Sequence, residues 1–404
     1  MTLTRLMRAA ALLALLAAPA HAEPDPAPAA AAELAPAHAR DVRELMEILR
    51  THEWLIGPPI ADATLSAADR EFDSAFRRQI TPDETYRRLA PVYARFLNAR
   101  QSADLLKLVR TSGFRKRELR AQQAGGGLIY PGTFLSPAEM TELRRVDAAP
   151  AVLNLRAMQK KLRAETGDEI KRWARQFDER MNDKARDVLR KVDADLDAAR
   201  AAGDARTITI GRVGLPYMDK VVWISGSAMI KMSNAYRHFD GELKYLGFQD
   251  ILKPDYLGSK LSLAHSRSVV EQVEAALEKL LKDTDQTIKE RDAALREVES
   301  PRMSNYLKSV EAGTGDSYGY MVEFGEAYRR MLDEYRRLLN FVAAHQADVQ
   351  YQDGKLLFAN DADLATARDI FARIEQAGAD LQALVERQTK KDEARQQGRG
   401  SAAR

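Results

Sequence analysis

Apolar residues recur at steps of three and four along a continuous stretch from Ala151 to Ala202. This spacing predicts one long helix with a single buried stripe. At about 1.5 Å of rise per residue the helix would be roughly 78 Å long, so it needs partners along its whole length. We expect the later long helices to be those partners and one of them to cover Trp173. We therefore expect the chain to be organised around this helix, whose stripe consists of Leu155, Met158, Leu162, Ile170, Trp173, Phe177, Met181, Val188, Val192, Leu196 and Ala199.

The last third of the chain repeats the helical pattern and adds one hairpin. Long apolar stripes run from Leu263 to Glu299 and from Tyr318 to His345, and a final helix follows the Asn360-Asp361 cap. Between them, Asp353-Gly354 is the sequence of a two-residue type I′ turn. This turn would pair Val349 with Phe358 and Tyr351 with Leu356, which places four apolar side chains on one face.

The segment from Thr207 to Gly258 is harder to interpret. Thr207–Ile210 alternates like a short strand. Val221–Met232 is apolar and contains Ser225-Gly226-Ser227, which fits either a strand pair or a helix whose small residues let another element approach closely. We favour a helix from about Met218 to Phe239.

The N-terminal third predicts short capped helices. Thr81-Pro82 and Ser136-Pro137 each place a capping hydroxyl before a proline, and Ser136 and Glu139 have the spacing of a capping box. The predicted fold class is therefore all-α: a long-helix bundle with a short β-hairpin near the C-terminus and a smaller N-terminal helical region. The predicted segments are a signal peptide at 1–22, a flexible leader at 23–40, a small helical domain at 41–147, the bundle at 148–391 with its hairpin at 349–359, and a disordered tail at 392–404.

The first 22 residues have the pattern of a secretory signal peptide. Arg5 and Arg8 precede an unbroken Ala and Leu run from Ala9 to Ala18, and Ala20-His21-Ala22 offers small residues at a cleavage site. The run is shorter than the ~20 residues that a spanning helix needs. With no cysteine in the chain, disulfides and a lipid-attachment cysteine are excluded. We expect a bacterial protein exported to the periplasm.

Charge narrows the class of partner. The chain has 62 basic and 59 acidic side chains, interspersed, for a net charge of +3. This near-balance argues against nucleic acid as the main ligand. Another envelope protein, a peptide or a glycan remains as the expected partner, without a membrane span. The oligomeric state does not follow from the sequence.

Two parts of the chain resemble exported bacterial envelope proteins of unknown function. In the N-terminal third the resemblance rests on short capped Leu-rich helices: Thr81-Pro82, Leu105 to Val109, Ser112-Gly113 and Leu135 to Glu139. In the C-terminal part it rests on a hairpin followed by a helix after a long helical body, from Leu338 to about Glu386. The resemblance implies a helical envelope protein and brings no active site.

No motif predicts a catalytic, cofactor or metal site. Asp193, Asp195 and Asp197 start like a calcium loop, but the sixth position is Ala198 and the twelfth is Asp204, where such a loop needs glycine and a bidentate acid. The histidines are scattered, no Ser-x-x-Lys or Gly-x-Ser-x-Gly pattern occurs, and Gly211-x-x-Gly214 is too short for a phosphate loop. Carboxylate-only sites leave no sequence signature.

The composite feature that stands out is a set of aromatic residues and one histidine. One interpretation is a ligand groove whose ring faces receive a hydrophobic peptide, a glycan or a lipid tail. The other, which we favour, is that the rings fill the core between long helices. The groove residues under the first interpretation are Tyr217, Trp223, Tyr236, His238, Phe239, Tyr245, Tyr318 and Tyr320.

Two functions of different classes remain. The first is a non-catalytic envelope protein that acts as a helical scaffold, chaperone or binding factor. The alternative is an envelope hydrolase that uses carboxylates without a recognisable motif. A deep pocket with converging carboxylates of raised pKa would favour the hydrolase, and apolar grooves without buried acids would favour the binding protein, which is the function we expect.

The first prediction concerns processing. The mature chain should begin at Glu23, because Ala20 and Ala22 are the small residues that flank the expected cleavage site. N-terminal sequencing of the exported protein checks this. A chain that starts at Met1, or beyond about Pro28, would contradict the assigned site.

Overall fold

The computed structural model of the chain describes residues 36–51, 66–123, 133–148, 150–202, 208–298 and 304–401. The predicted signal peptide lies outside these ranges, as do residues 23–35 of the predicted leader. The protein is all-α with one two-stranded antiparallel hairpin near the C-terminus, as the sequence predicts. Among the described helices, none combines the length and apolar character that crossing a membrane requires.

The chain divides into two compact units, with the boundary between Asp183 and Lys184. In the first unit, the described helices are α1 (Pro36–Thr51), α2 (Ala67–Arg78), α3 (Pro82–Phe96), α4 (Ala99–Arg110), α5 (Ser112–Gln123), α6 (Pro137–Asp147) and the first part of α7 (Pro150–Ala201).

The first unit has an apolar core between α1, α3 and α4. Val42 and Leu45 of α1 are fully buried, and Leu89 and Val109 pack with them. Capping fixes where the surrounding helices begin. Thr81 accepts from the amide of Glu84 at 3.2 Å, and Asn98 forms a complete capping box with Gln101.

The predicted capping box at the start of α6 is present and carries a perturbed acid. The Ser136 amide donates to the Glu139 carboxylate at 2.9 Å, and the Glu139 amide donates to the Ser136 hydroxyl at 3.3 Å. Lys116 and Ser112 also donate to this carboxylate. These donors, Lys116 first, lower the pKa of Glu139 to about 2.

The second unit holds the longer helices. Its described elements are the rest of α7, then α8 (Pro216–Tyr245), α9 (Pro254–Gly258), α10 (Lys260–Arg296), α11 (Ser304–Ala344), β1 (Val349–Gln352), β2 (Lys355–Phe358) and α12 (Asp361–Ser401), with 3₁₀ turns at Phe248–Asp250 and Gln346–Asp348.

Helix α8 is enclosed on more than one side. Thirteen of its residues are buried, including the consecutive Ile224, Ser225 and Gly226. Burial at consecutive positions means that α8 is covered on several sides rather than along one stripe. The favoured helix from Met218 to Phe239 is therefore confirmed and extended at both ends.

Helices α8, α10, α11 and α12 are each antiparallel to the next. Lys231 of α8 pairs with Glu290 of α10 at 2.8 Å, while His238 lies 3.1 Å from Lys279 of α10. Residues with higher numbers on α8 therefore lie beside residues with lower numbers on α10, as in an antiparallel pair.

The same order holds for the later pairs. Arg329 and Arg336 of α11 contact Glu278 and Glu274 of α10. Between α11 and α12, two ion pairs show the same direction: Glu334 with Arg373, and Glu323 with Arg387.

The hairpin has the predicted register. Val349 pairs with Phe358, and Tyr351 pairs with Leu356. Asp353 and Gly354 both have positive φ, 53° and 76°, as a type I′ turn requires. Val349 is buried, and Tyr351 lies against Gly258 of α9, where an added Cβ would sit 2.5 Å from the tyrosine Cβ.

Three local predictions were wrong. Ile208–Ile210 is not a strand; Ile210 lies instead against Gly226, where a Cβ would meet its side chain at 3.0 Å. The segment 36–40 is not part of a flexible leader but opens α1, and His38 is buried with its Nε2 atom 2.9 Å from the Ser102 hydroxyl. The chain from 392 to 401 is helical, because Glu, Ala, Arg and Gln are good helix formers.

The role predicted for the helix around Ala151–Ala202 needs correction. Helix α7 has almost the predicted bounds, and Trp173 is buried with 1% of its surface exposed. Its partners, however, come from earlier helices: Phe76 of α2 lies edge-on at 5.5 Å, and the Arg88 guanidinium lies 5.1 Å from the indole. A later helix was expected.

This packing also explains why the division of the chain falls within α7 and not at the predicted boundary between 147 and 148. Phe177, one turn beyond Trp173, contacts Phe72 of α2 at 5.3 Å. The N-terminal part of α7 therefore belongs with the first unit.

Two tryptophans among the described residues, one buried and one exposed, give a matched test of this packing. Trp173→Ala should lower the free energy of unfolding by roughly 3–5 kcal/mol, because it removes a large buried side chain and leaves a cavity. Trp223 is 62% exposed, so Trp223→Ala should change it by no more than about 0.5 kcal/mol. Urea unfolding followed by circular dichroism at 222 nm measures both. Equal losses in the two variants would contradict the burial of Trp173.

Candidate functional site

The residues predicted to line a ligand groove divide by exposure. Four of them are buried and four are exposed. The buried ones are Tyr217, Tyr236, Phe239 and Tyr320, and the exposed ones are Trp223, His238, Tyr245 and Tyr318.

Three of the buried rings, Tyr236, Phe239 and Tyr320, belong to one closed core. The Tyr236 hydroxyl donates to the Met321 sulfur at 2.6 Å, and Phe239 packs edge-on against Tyr328 at 5.6 Å. Burial raises the pKa of the Tyr236 phenol well above its usual range, so this side chain stays neutral at physiological pH. These rings stabilise the bundle and present no face to a ligand.

The exposed members are spread along the molecule. Trp223 and Tyr245 are separated by 22 residues of one helix, which is about 33 Å at roughly 1.5 Å per residue. His238 belongs to a group of charged side chains on the surface. Its Nε2 atom lies 3.0 Å from the Glu242 carboxylate and 3.1 Å from the Lys279 ammonium. Tyr318 lies at a concave surface.

That surface is a groove between α10 and α11, which we call the α10–α11 groove. Its volume is about 240 Å³, and Tyr318 and Val322 flank it with 49% and 44% of their surfaces exposed. The groove is lined by Leu281, Thr284, Asp285, Ile288, Tyr318, Met321, Val322, Glu326 and Arg329.

Helical spacing explains how these residues come together. Tyr318, Val322 and Glu326 are four apart on α11, so their side chains lie on one face. Leu281 and Ile288 are seven apart, two turns, on the antiparallel α10. Beside the groove the two helices pack closely because Gly325 has no side chain, and a Cβ there would lie 2.8 Å from Leu281 Cδ1.

The charges at the groove leave one carboxylate in excess. Asp285 accepts from Lys289 at 2.7 Å, and Arg329 donates to Glu278 at 2.7 Å. Glu326 is exposed and makes no ion pair with a described side chain. The mouth of the groove therefore carries a net negative charge beside the exposed Tyr318 ring.

The floor of the groove contains one polar atom without a partner. Thr284 is 1% exposed, and its hydroxyl makes no hydrogen bond within the described residues. The surrounding side chains Leu281, Ile288 and Met321 are apolar. A buried hydroxyl without a partner is unfavourable by about 1–3 kcal/mol, and this oxygen is enclosed beneath the lining side chains and does not face the groove.

One acid outside the groove has a strongly perturbed pKa. Asp193 of α7 is partly buried, and burial, together with the negative charge of Asp197 one turn on, raises its pKa to about 6. An acid with such a pKa can donate a proton near neutral pH. Asp193 and Asp197 lie on one helix and do not line the α10–α11 groove.

Neither metal nor phosphate has a ready site in the described ranges. No three His, Asp or Glu side chains there are grouped as ligands. The glycine-containing turn at Gly211–Gly214 is occupied by the protein itself, because the amides of Val213 and Gly214 donate to the Asp219 carboxylate at 2.5 and 3.1 Å.

No protein-family model, curated protein or solved structure matches this chain. The resemblance to exported bacterial envelope proteins therefore stays a prediction. The features that bear on function are the α10–α11 groove, the exposed rings and Asp193.

The raised pKa of Asp193 predicts a specific pH dependence. The acid binds its proton more tightly in the folded chain, at about 6, than at its ordinary value of 3.8. Its ionisation therefore lowers stability progressively from about pH 4 to pH 6, and the loss is complete above that range. Asp193→Asn should leave stability unchanged below pH 4 and raise it above pH 6 by at most about 3 kcal/mol.

Urea unfolding at unit pH steps from 4 to 8 checks this. Asp187→Asn is the matched control, because Asp187 lies on the same helix with an exposed side chain paired to Arg190. A gain in Asp193→Asn that is the same at pH 4 and pH 8 would contradict the raised pKa.

Proposed function

We propose that the protein is an exported, non-catalytic binding factor of the bacterial envelope, built on a helical scaffold. The observation that carries the proposal is the α10–α11 groove: an apolar floor bounded by Leu281, Ile288 and Met321, with acids only at its mouth. A groove of this kind favours binding, because general acid–base catalysis needs a titrating group directed at the reacting atoms.

Export is supported by the sequence of residues 1–22. A short apolar run after two arginines and before Ala20-His21-Ala22 is typical of a cleaved signal peptide. The chain has no cysteine, so an oxidising compartment would neither form nor require a disulfide in it. Its stability then depends on its packed core. A periplasmic location remains part of the proposal.

The hydrolase alternative has one observation in its favour. Asp193 combines partial burial, a neighbouring carboxylate at Asp197 and a pKa of about 6. An acid of raised pKa beside a second carboxylate is an arrangement used in hydrolysis by carboxylates. The alternative therefore makes Asp193 the acid whose removal would abolish activity.

One set of measurements separates the two functions. The full-length chain is expressed in a Gram-negative host, the periplasm is released by osmotic shock, and the purified mature chain is incubated with intact peptidoglycan. We expect the chain in the periplasmic fraction, and no release of soluble fragments by wild type above the level of Asp193→Asn. Retention in the cytoplasm would contradict export, and release that depends on Asp193 would establish the hydrolase.

A further inference from the structure

We propose that the α10–α11 groove binds a small organic cation with an aromatic or aliphatic body, of the arylalkylamine class. The inference rests on the proposed function as a non-catalytic binding factor and names the chemistry of its ligand. Three features of the groove support it: its size, its charge and the composition of its floor.

The size favours a small molecule over a macromolecule. The volume of the groove is about 240 Å³. It lies below the ~300–1,000 Å³ of pockets that hold drug-sized ligands. A docked helix would need an apolar groove several turns long, whereas the exposed apolar residues at this site are only Tyr318 and Val322, one turn apart.

The charge favours a cation. Asp285 and Arg329 are each paired, with Lys289 and Glu278, so Glu326 is the carboxylate that remains for a ligand. An ammonium group at the mouth would form a charge-assisted hydrogen bond with it. The neighbouring Tyr318 ring, half exposed, would add a cation–π attraction of about 0.5–1 kcal/mol.

The floor favours an apolar body. Leu281, Ile288 and Met321 offer aliphatic and thioether surface, and a methionine sulfur makes favourable contacts with aromatic rings.

The test is a titration of the full chain with three molecules of matched shape. Phenethylamine is the cation, 2-phenylethanol replaces its ammonium with a neutral hydroxyl, and 3-phenylpropanoate carries a negative charge. The readout is the ¹³C-methyl methionine signal of Met321, which lines the groove, assigned with Met321→Leu. The signal of Met229, which is fully buried in α8, is the internal reference.

We expect phenethylamine to shift the Met321 signal saturably, the alcohol to bind at least about threefold more weakly, and the anion more weakly still. Glu326→Gln should reduce the affinity for phenethylamine by at least about threefold and leave the alcohol unchanged. Glu323→Gln removes the same charge from the same helix outside the groove, so it should change neither. Val322→Trp should block all three by filling the groove from an exposed position, with folding checked by circular dichroism.

Equal affinity for the three molecules, no shift of Met321, or an unchanged affinity in Glu326→Gln would each overturn the proposal. None of these results would bear on export or on the absence of catalysis. Conversely, chemical conversion of phenethylamine during the titration, visible in the same spectra, would contradict the non-catalytic function while leaving the groove as the binding site.

Discussion

Burial of α8 is the constraint on which the second unit depends. Most long helices of this chain bury one stripe and leave a charged face to water, but α8 is buried at consecutive positions such as Ile224, Ser225 and Gly226. A helix enclosed in this way has to be covered by other elements. Here these include α10, α11 and the segment that precedes α8, in which Ile210 fills the space above Gly226. Because the chain has no cysteine and therefore no disulfide, the unit depends for its stability on apolar packing of this kind.

The same constraint accounts for the aromatic side chains. Tyr236 and Phe239 project from α8 toward α11, where Met321 and Tyr328 receive them. Once these rings are used in the core, they are no longer available to a ligand. The α10–α11 groove borders this core, since Met321 contacts Tyr236 and also lines the groove, which Tyr318 and Val322 flank.

Local features of the fold were predictable from the sequence, whereas the choice of partners was not. The Asp353-Gly354 turn fixes its own register, because a two-residue turn with positive φ at both positions admits only one pairing. The Ser136 and Glu139 capping box depends on atoms three residues apart. The burial of Trp173 follows from its stripe, but periodicity says only which face is buried, not which helix covers it. The covering helix was therefore predicted incorrectly.

The groove shows the same limit at the level of the site. Tyr318 was identified because aromatic residues stand out, but Thr284, Glu326 and Val322 looked like ordinary helix positions. They become a site only because α10 and α11 are antiparallel and close at Gly325, a relation between residues about 40 apart in the chain. The sequence held one local signal of the site in Tyr320-Met321-Val322. Three consecutive apolar residues point in different directions around a helix, so they cannot all lie on one buried stripe.

Asp193 is where the two candidate functions make opposite physical demands. A partly buried acid beside a second carboxylate lowers the stability of the folded chain at neutral pH. In an enzyme this loss is compensated by function, since the raised pKa is what makes the acid useful. In a binding factor no catalytic function compensates for the lost stability. Asp193→Asn should then stabilise the folded chain and leave its ligand affinity unchanged. Asp193→Asn should therefore gain stability at neutral pH in either case, and only a hydrolytic activity that is lost in this variant would show that the acid is retained for chemistry.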